Sequence, residues 1–237
     1  MALRTKITFF AQFIPNYLQI PQLFVPLHRQ TMEQREQNRM NLSFAERQRK
    51  TMVSTNRPKG QIIKKMETER LLLRPWLDSD AETLFKFASD PEVGPRAGWP
   101  PHKSVEESLE IIRTVFRSER MWAVIWKESG EAIGCVGYLP ASSSNLKIAE
   151  DHAEVGYWIA RPFWGKGICT EVLLLVVDYC FNEKGFTVLW GDYFPSNPAS
   201  GRVMEKCGFV DTGEVTLCPN LEVGSDCPVK VVKLIKK

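Results

Sequence analysis

Between residues 153 and 171 the hydrophobic pattern changes twice within one short stretch. Ala153–Ala160 alternates with a period of two, which predicts a strand. Glu154, Gly156, Trp158 and Ala160 share one of its faces; Val155, Tyr157 and Ile159 take the other. Arg161-Pro162 ends the strand, and Phe163-Trp164-Gly165-Lys166-Gly167 forms a glycine-containing loop. A helix follows at once, over Ile168–Lys184, with Gly185 as its stop. Such a junction points the free amides of Gly165–Thr170 one way, at the positive end of a helix dipole. That geometry receives phosphate. Lys166 adds charge at the rim. The loop is neither the G-x-G-x-x-G dinucleotide fingerprint nor a P-loop, because no G-K-[ST] follows. A tight turn that uses its glycines for sterics alone is the competing reading.

The flanking sequence sets the frame of that junction. Arg70–Arg74 reads as a strand, and Ser79 with Glu82 as a capping box. Ala81, Leu84, Phe85 and Ala88 then give one apolar helix face, stopped at Asp90-Pro91. A loop rich in Gly and Pro runs from Gly94 to Pro101 and carries Arg96 and Trp99, with His102 just beyond. Ser104 with Glu107 starts a second helix, whose buried face is Val105, Leu109, Ile112 and Phe116. Met121–Trp126 and Ala132–Leu139 are strands around a Glu128-Ser129-Gly130 turn. In the helix after the glycine loop, Val172–Val177 is apolar all round, leaving Glu171 and Asp178 as a wet stripe. His152 reads as an exposed loop residue. Phe186–Phe194 is a further strand, and Asn197-Pro198 opens a short helix that Gly208 closes. Phe209–Leu217 and Val229–Ile235 are the last strands. The expected fold class is α/β (α+β): a mixed, mainly antiparallel sheet flanked by helices, in a single domain with an N-terminal extension.

Charge divides the chain at the same place. Residues 1–65 carry 12 Lys and Arg against 3 Asp and Glu, whereas residues 66–237 carry 19 against 25. Three readings of the basic leader, 1–65, stay open. It is a tail without a fold or a start codon placed too far upstream, with Met66 opening the natural beginning. Or it is an electrostatic tether to nucleic acid or the ribosome. Or it is a targeting or membrane-surface segment. Pro15, Pro21 and Pro26 interrupt its apolar stretch, and no run of the chain is long and apolar enough for a membrane span. The six cysteines form no C-x-x-C pair and no zinc-finger spacing, so no metal site is expected. They read as reduced thiols of a cytoplasmic protein.

Several motifs in order carry a family resemblance. The segment E-V-G-Y-W-I-A-R-P-F-W-G-K-G-I-C-T-E at 154–171 precedes N-P-A-S at 197–200 and E-K-C-G-F at 205–209. Met66-Glu-Thr-Glu-Arg-Leu-Leu-Leu-Arg-Pro opens the domain, and Gly98-Trp99-Pro100 lies between. Together they resemble the GNAT (GCN5-related N-acetyltransferase) superfamily, and within it the RimJ/RimL-like branch of ribosomal-protein N-terminal acetyltransferases. The resemblance covers about 66–235. Two positions depart from the family signature Q/R-x-x-G-x-G/A: Trp164 stands in the place of Gln/Arg, and Cys169 in that of Gly/Ala.

The resemblance implies acetyl transfer from acetyl-CoA to an amine, a protein N-terminus or a small molecule, without a metal. Gly165, Lys166, Gly167, Ile168, Cys169 and Thr170 would cradle the pyrophosphate. The strand at Trp158 and Ile159 would bond the pantetheine arm, and Asn197 would contact the cofactor from the next helix. Glu154 is the candidate base, acting through water, and a solvated strand carboxylate is its competing reading. The tyrosine that many relatives use to protonate the thiolate is replaced by Met204, so Ser200 becomes the candidate acid. Arg96, Trp99 and His102 either line the acceptor mouth or simply pack their loop. Monomer and homodimer are both expected of the family. Two alternatives remain: a non-catalytic acyl-CoA-binding or sensing module, and a ribosome- or nucleic-acid-associated protein acting through the basic leader.

Overall fold

The two-residue period of 121–126 and 132–140 produces the antiparallel pair at the heart of the sheet. A computed structural model describes residues 64–237. The leader readings fall on residues outside this range, except for Lys64 and Lys65. In chain order the elements are β1 (Met66–Glu67), β2 (Leu71–Arg74), α1 (Ala81–Ala88), α2 (Val105–Ile111), β3 (Met121–Trp126), β4 (Ala132–Pro140) and β5 (His152–Ile159). Then come α3 (Ile168–Asn182), β6 (Val188–Tyr193), α4 (Pro198–Lys206), β7 (Val210–Asn220) and β8 (Ser225–Ile235). The strand order is β1-β2-β3-β4-β5-β6-β8-β7. Every pair is antiparallel except β5 with β6. The expected mixed, mainly antiparallel sheet is what forms.

Alternation along β4 assigns the helices to faces. Cys135 accepts from the Trp76 indole at 3.4 Å, and Trp76 stacks on Phe116 beyond α2. Three residues on, and therefore on the opposite face, Tyr138 meets Tyr179 of α3. Register carries this to β5: Cys135 pairs with Trp158, and Val136 with Tyr157. Glu154 and Trp158 thus look toward α1 and α2, and Tyr157 toward α3 and α4. Trp122, Ile133, Leu173 and Leu189 are fully buried between these layers.

Several local expectations shift. The Ser79 capping box does not form. Asp80 instead accepts from the Leu77 amide at 2.9 Å and from both Arg74 Nη atoms at 2.7 Å. Ser104 does cap α2, accepting from the Glu107 amide at 3.2 Å. A π-helical turn at Ile112–Phe116 follows; Ile112 and Phe116 are buried as expected, joined by Ile111 and Val115, while Val105 and Leu109 are half-buried. Leu174 of α3 is exposed, and Glu171 is partly covered by Arg70. His152 is a correction: it is the first residue of β5 and accepts from the Trp190 indole at 3.0 Å. The last strands are longer than expected, because β7 and β8 form one hairpin down to Asn220↔Ser225.

The ordered contacts reach back past Met66. Lys64 pairs with Glu183 at 2.7 Å, and its carbonyl accepts from the Trp122 indole at 2.9 Å.

Candidate active site

Gly165 and Gly167 both have φ of +74°. L-residues rarely adopt that backbone, so glycine is needed for conformation. A Cβ on Gly165 would meet nothing within 4 Å, and one on Gly167 only Arg70 Nη2 at 3.8 Å. The space above the loop is therefore open. Gly167 precedes α3, and no side chain caps the amides of its first turn. Fifteen residues of helix give those amides a full dipole. Arg70 holds the loop from behind: Nη2 donates to the Lys166 carbonyl at 2.8 Å and to Glu171 at 2.6 Å, and Nε donates to Glu171 at 2.8 Å. An open, amide-lined turn with this bracing fits a pyrophosphate.

The neighbouring strands part just below that cradle. β5 and β6 pair only at His152↔Val188, Ala153↔Leu189 and Glu154↔Trp190. Past this point a cavity of about 370 Å³ opens between them, in the range of small-molecule sites. Val155–Ile159 form one wall and Asp192–Phe194 the other, with Gly165, Gly167, Ile168, Cys169 and Thr170 at the head. Lys166 is not on the wall; its ammonium lies 5.2 Å from the Phe163 ring. The Trp164 indole donates to the Ile159 carbonyl at 2.6 Å. The Trp158 indole nitrogen is buried without a partner.

Asn197 and Ser200, at the start of α4, face the cavity from the side of Tyr157. The Asn197 amide donates to the Arg96 carbonyl at 3.1 Å, while the Arg96 guanidinium lies 5.3 Å from the Trp164 ring. Arg96 thus sits at the glycine-loop end of the cavity. Trp99 lies off the wall, edge-on to Trp158 at 5.8 Å and beside His102 at 5.3 Å. It packs so closely on Gly94 that a Cβ there would lie 2.5 Å from its carbonyl. His102 is buried against Ser108, and burial pushes its imidazole down to about 4.

Ser200 Oγ is 3.0 Å from the Tyr157 hydroxyl, which also donates to the Ser200 carbonyl at 2.9 Å. Burial pushes the Tyr157 phenol well above its ordinary range, so it is protonated at any physiological pH. Cys169, despite its place at a helix N-terminus, is pushed up to about 12 by burial, which keeps it an inert thiol. All six cysteines are free.

Glu154 is 1% exposed and not on the cavity wall. Its Oε2 accepts from Ser144 Oγ at 2.6 Å. Burial, and then the charge of Asp192, hold its carboxyl above the ordinary carboxylate range. Asp192 is on the wall and is itself raised by burial, opposed by a bond from Cys218 Sγ at 3.4 Å. Asp192, Tyr157 and Arg70 were not among the residues singled out from sequence. The signal for Asp192 was present as a carboxylate inside an otherwise apolar strand. Tyr157 and Arg70 gave none. Among the described residues there is no cluster able to hold a metal, and no helix is long and apolar enough to cross a membrane.

The sequence pattern described as "Acetyltransferase (GNAT) domain" matches residues 70–210. The uncharacterized N-acetyltransferase YoaA of Bacillus subtilis is 31% identical over 153 residues, 62% of this chain and 84% of that one. Among solved structures, the ribosomal-protein-S5-alanine acetyltransferase of Vibrio fischeri superposes with a TM-score of 0.58 at 22% identity, over 73% of this chain and 96% of that one. The spermidine N-acetyltransferase of Vibrio cholerae, solved with CoA and spermine, gives 0.56 at 20% identity, over 71% and 96%. At these identities the two structures share the fold.

Proposed function

Because this chain belongs to the GNAT acetyltransferase family, we propose that it moves the acetyl group of acetyl-CoA to a primary amine by direct attack in a ternary complex. The acceptor is a protein N-terminus or a small-molecule amine. The observation that carries this reading is the parting of β5 from β6 directly beneath the open Gly165–Thr170 turn. One end of the cavity offers backbone donors to a pyrophosphate, and among the described residues a single carboxylate, Asp192, lines it for an amine. Spermidine, with spermine bound, and a ribosomal-protein alanine are the amines named for the two structural neighbours. Free thiols throughout support a cytoplasmic reaction.

In this reading the amides of Gly165–Thr170 hold the pyrophosphate, with Lys166 at the rim. The freed edge of β5 at Trp158 and Ile159 bonds the pantetheine arm, and Asn197 contacts the cofactor from α4. Acetyl-CoA, as substrate, brings a thioester carbonyl. Glu154, the base expected from the sequence, lies off the wall, so its part in proton removal is indirect, exerted through a group that does face the cavity. Ser200 protonates the departing sulfur, oriented by Tyr157. Trp99 acts on the acceptor side indirectly, by fixing Trp158, while Arg96 lies at the glycine-loop end of the cavity.

Thiol release from acetyl-CoA, followed with peptides beginning Ala or Ser and with spermine, tests the reading. Acceleration by at least one amine is expected, with Ser200→Ala slower in turnover. A folded chain that binds acetyl-CoA but acetylates none of these amines would point instead to an acyl-CoA-binding module.

A further inference from the structure

Two carboxylates meet where β5 and β6 part. Glu154 faces Trp190 in the last pair of the two strands. Asp192, two residues beyond Trp190, shares that face of the sheet. Its charge reaches Glu154, yet the two differ in access. Asp192 is half-buried on the cavity wall, whereas Glu154 lies behind, held by Ser144 and the Asn145 backbone. Among the described residues Asp192 is the only carboxylate lining the cavity. No ion pair among those residues joins a cation to either group. The groups bonded to the pair or close behind it are neutral or acidic: Ser144 from the loop before β5, Cys218 from β7 and, beyond it, Asp226 from β8. Arg96, Arg202 and Lys206 line the same cavity, but none forms an ion pair with Asp192 or Glu154. Adjacent carboxylates taken out of water without a cation are costly, and a cationic ligand relieves both.

We propose that Asp192 is the carboxylate that meets the acceptor: it binds the incoming ammonium and takes its proton, with Glu154 behind it as a positioning residue. This rests on the acetyl-transfer reading above and narrows it to acceptors that arrive as cations. The Asp192 carboxylate removes one proton from R–NH3⁺, leaving R–NH2 with a free pair. That pair forms the C–N bond at the acetyl carbonyl carbon, and the C–S bond breaks with its electrons on sulfur. Ser200 gives its proton to sulfur and regains one from the second N–H. The products are the acetamide, the CoA thiol and one proton on Asp192, which the cavity returns to solvent. No oxidant or reductant enters. Burial raises the proton affinity of Asp192, to about 6, so the base operates nearer neutral pH than an exposed carboxylate would.

The full chain tests this in two ways. In ¹³C carboxyl NMR titrations, Glu154 should titrate above the ordinary carboxylate range in the wild type and fall toward it in Asp192→Asn. An unchanged Glu154 titration would overturn the pair. In thiol-release assays with spermine and an Ala-initiated peptide, Asp192→Asn should raise KM for the amine at least tenfold and lower kcat as well. Its acetyl-CoA affinity and thermal midpoint should stay near wild type. Glu154→Gln should retain more activity and leave the acidic limb of the kcat/KM profile, set by Asp192, at its wild-type position; a limb that moves would make Glu154 the titrating base and overturn the assignment to Asp192. Wild-type kinetics in Asp192→Asn would overturn this proposal alone. A wild type that binds acetyl-CoA and acetylates no amine would overturn both it and the functional reading.

Discussion

The side-chain amide of Asn197 donates to the backbone carbonyl of Arg96 at 3.1 Å, joining the first turn of α4 to the loop between α1 and α2. Arg96 continues the tie to the other wall by placing its guanidinium 5.3 Å from the Trp164 ring. Residues far apart in the chain thereby close one end of the cavity. Losing one such hydrogen bond is worth about 1–1.5 kcal/mol. Asn197→Ala should therefore weaken acetyl-CoA binding by roughly five- to tenfold in a calorimetric titration. Unchanged affinity would remove Asn197 from the cofactor site.

The glycine turn predicts a steeper loss. Gly167→Glu forces a side chain onto a backbone at φ +74° and adds a carboxylate beside the glycine turn, on the side of Arg70. Like-charge apposition with a phosphate costs several kcal/mol, so acetyl-CoA affinity should fall at least about 100-fold. Arg70→Gln keeps the glycines but releases the Lys166 carbonyl and Glu171. It should cost only about three- to tenfold. Equal affinities in all three proteins would mean that the phosphates bind elsewhere.

Glu154 predicts a pH-dependent stability. Its folded carboxyl is held above the ordinary 4.5, first by burial and then by Asp192. The folded state thus binds this proton more tightly than the unfolded chain. Stability from this group is full below about 4.5 and is lost as pH rises through the folded value. Gln cannot ionise and escapes that loss. The thermal midpoint of Glu154→Gln should match wild type near pH 4.5 and exceed it increasingly toward pH 8. Parallel curves by scanning calorimetry would show that Glu154 carries no raised proton affinity.

Asp80 predicts a structural cost remote from the cavity. It receives both Arg74 Nη atoms and the Leu77 amide, and its side chain is 9% exposed. Removing one partner of such a buried pair costs about 3–5 kcal/mol. Asp80→Ala should lower the thermal midpoint by roughly 6–15 °C for a domain of this size, with acetyl-CoA affinity nearly intact where the fold persists. A shift of under ~2 °C would show that solvent replaces the carboxylate.

The local chemistry of the site was legible in the residue order. Gly165 and Gly167 had to lie in a turn between a two-residue period and a helical one, because no other backbone joins those patterns so abruptly. Alternation placed Glu154 and Trp158 on one face before any partner was known. The capping signal worked at Ser104 but misplaced the start of α1, where Asp80 bonds the Leu77 amide and Arg74. The β7–β8 hairpin was cut short, since Cys218–Asn220 and Ser225–Pro228 look like turn sequence until each strand pairs with the other.

Sequence alone determined most of the elements, their faces and the open glycine turn, because these follow from φ preferences and periodicity over a few residues. Tertiary structure decided which side chains meet. Asp192 reaches Glu154 only because β6 pairs with β5 for three residues and then parts from it. Tyr157 reaches Ser200, and Asn197 reaches Arg96, across 43 and 101 positions of chain. Such distances are closed by burial of the whole sheet between its helices. The proton affinities they create depend on the charges and solvent excluded around each group, which no local pattern records.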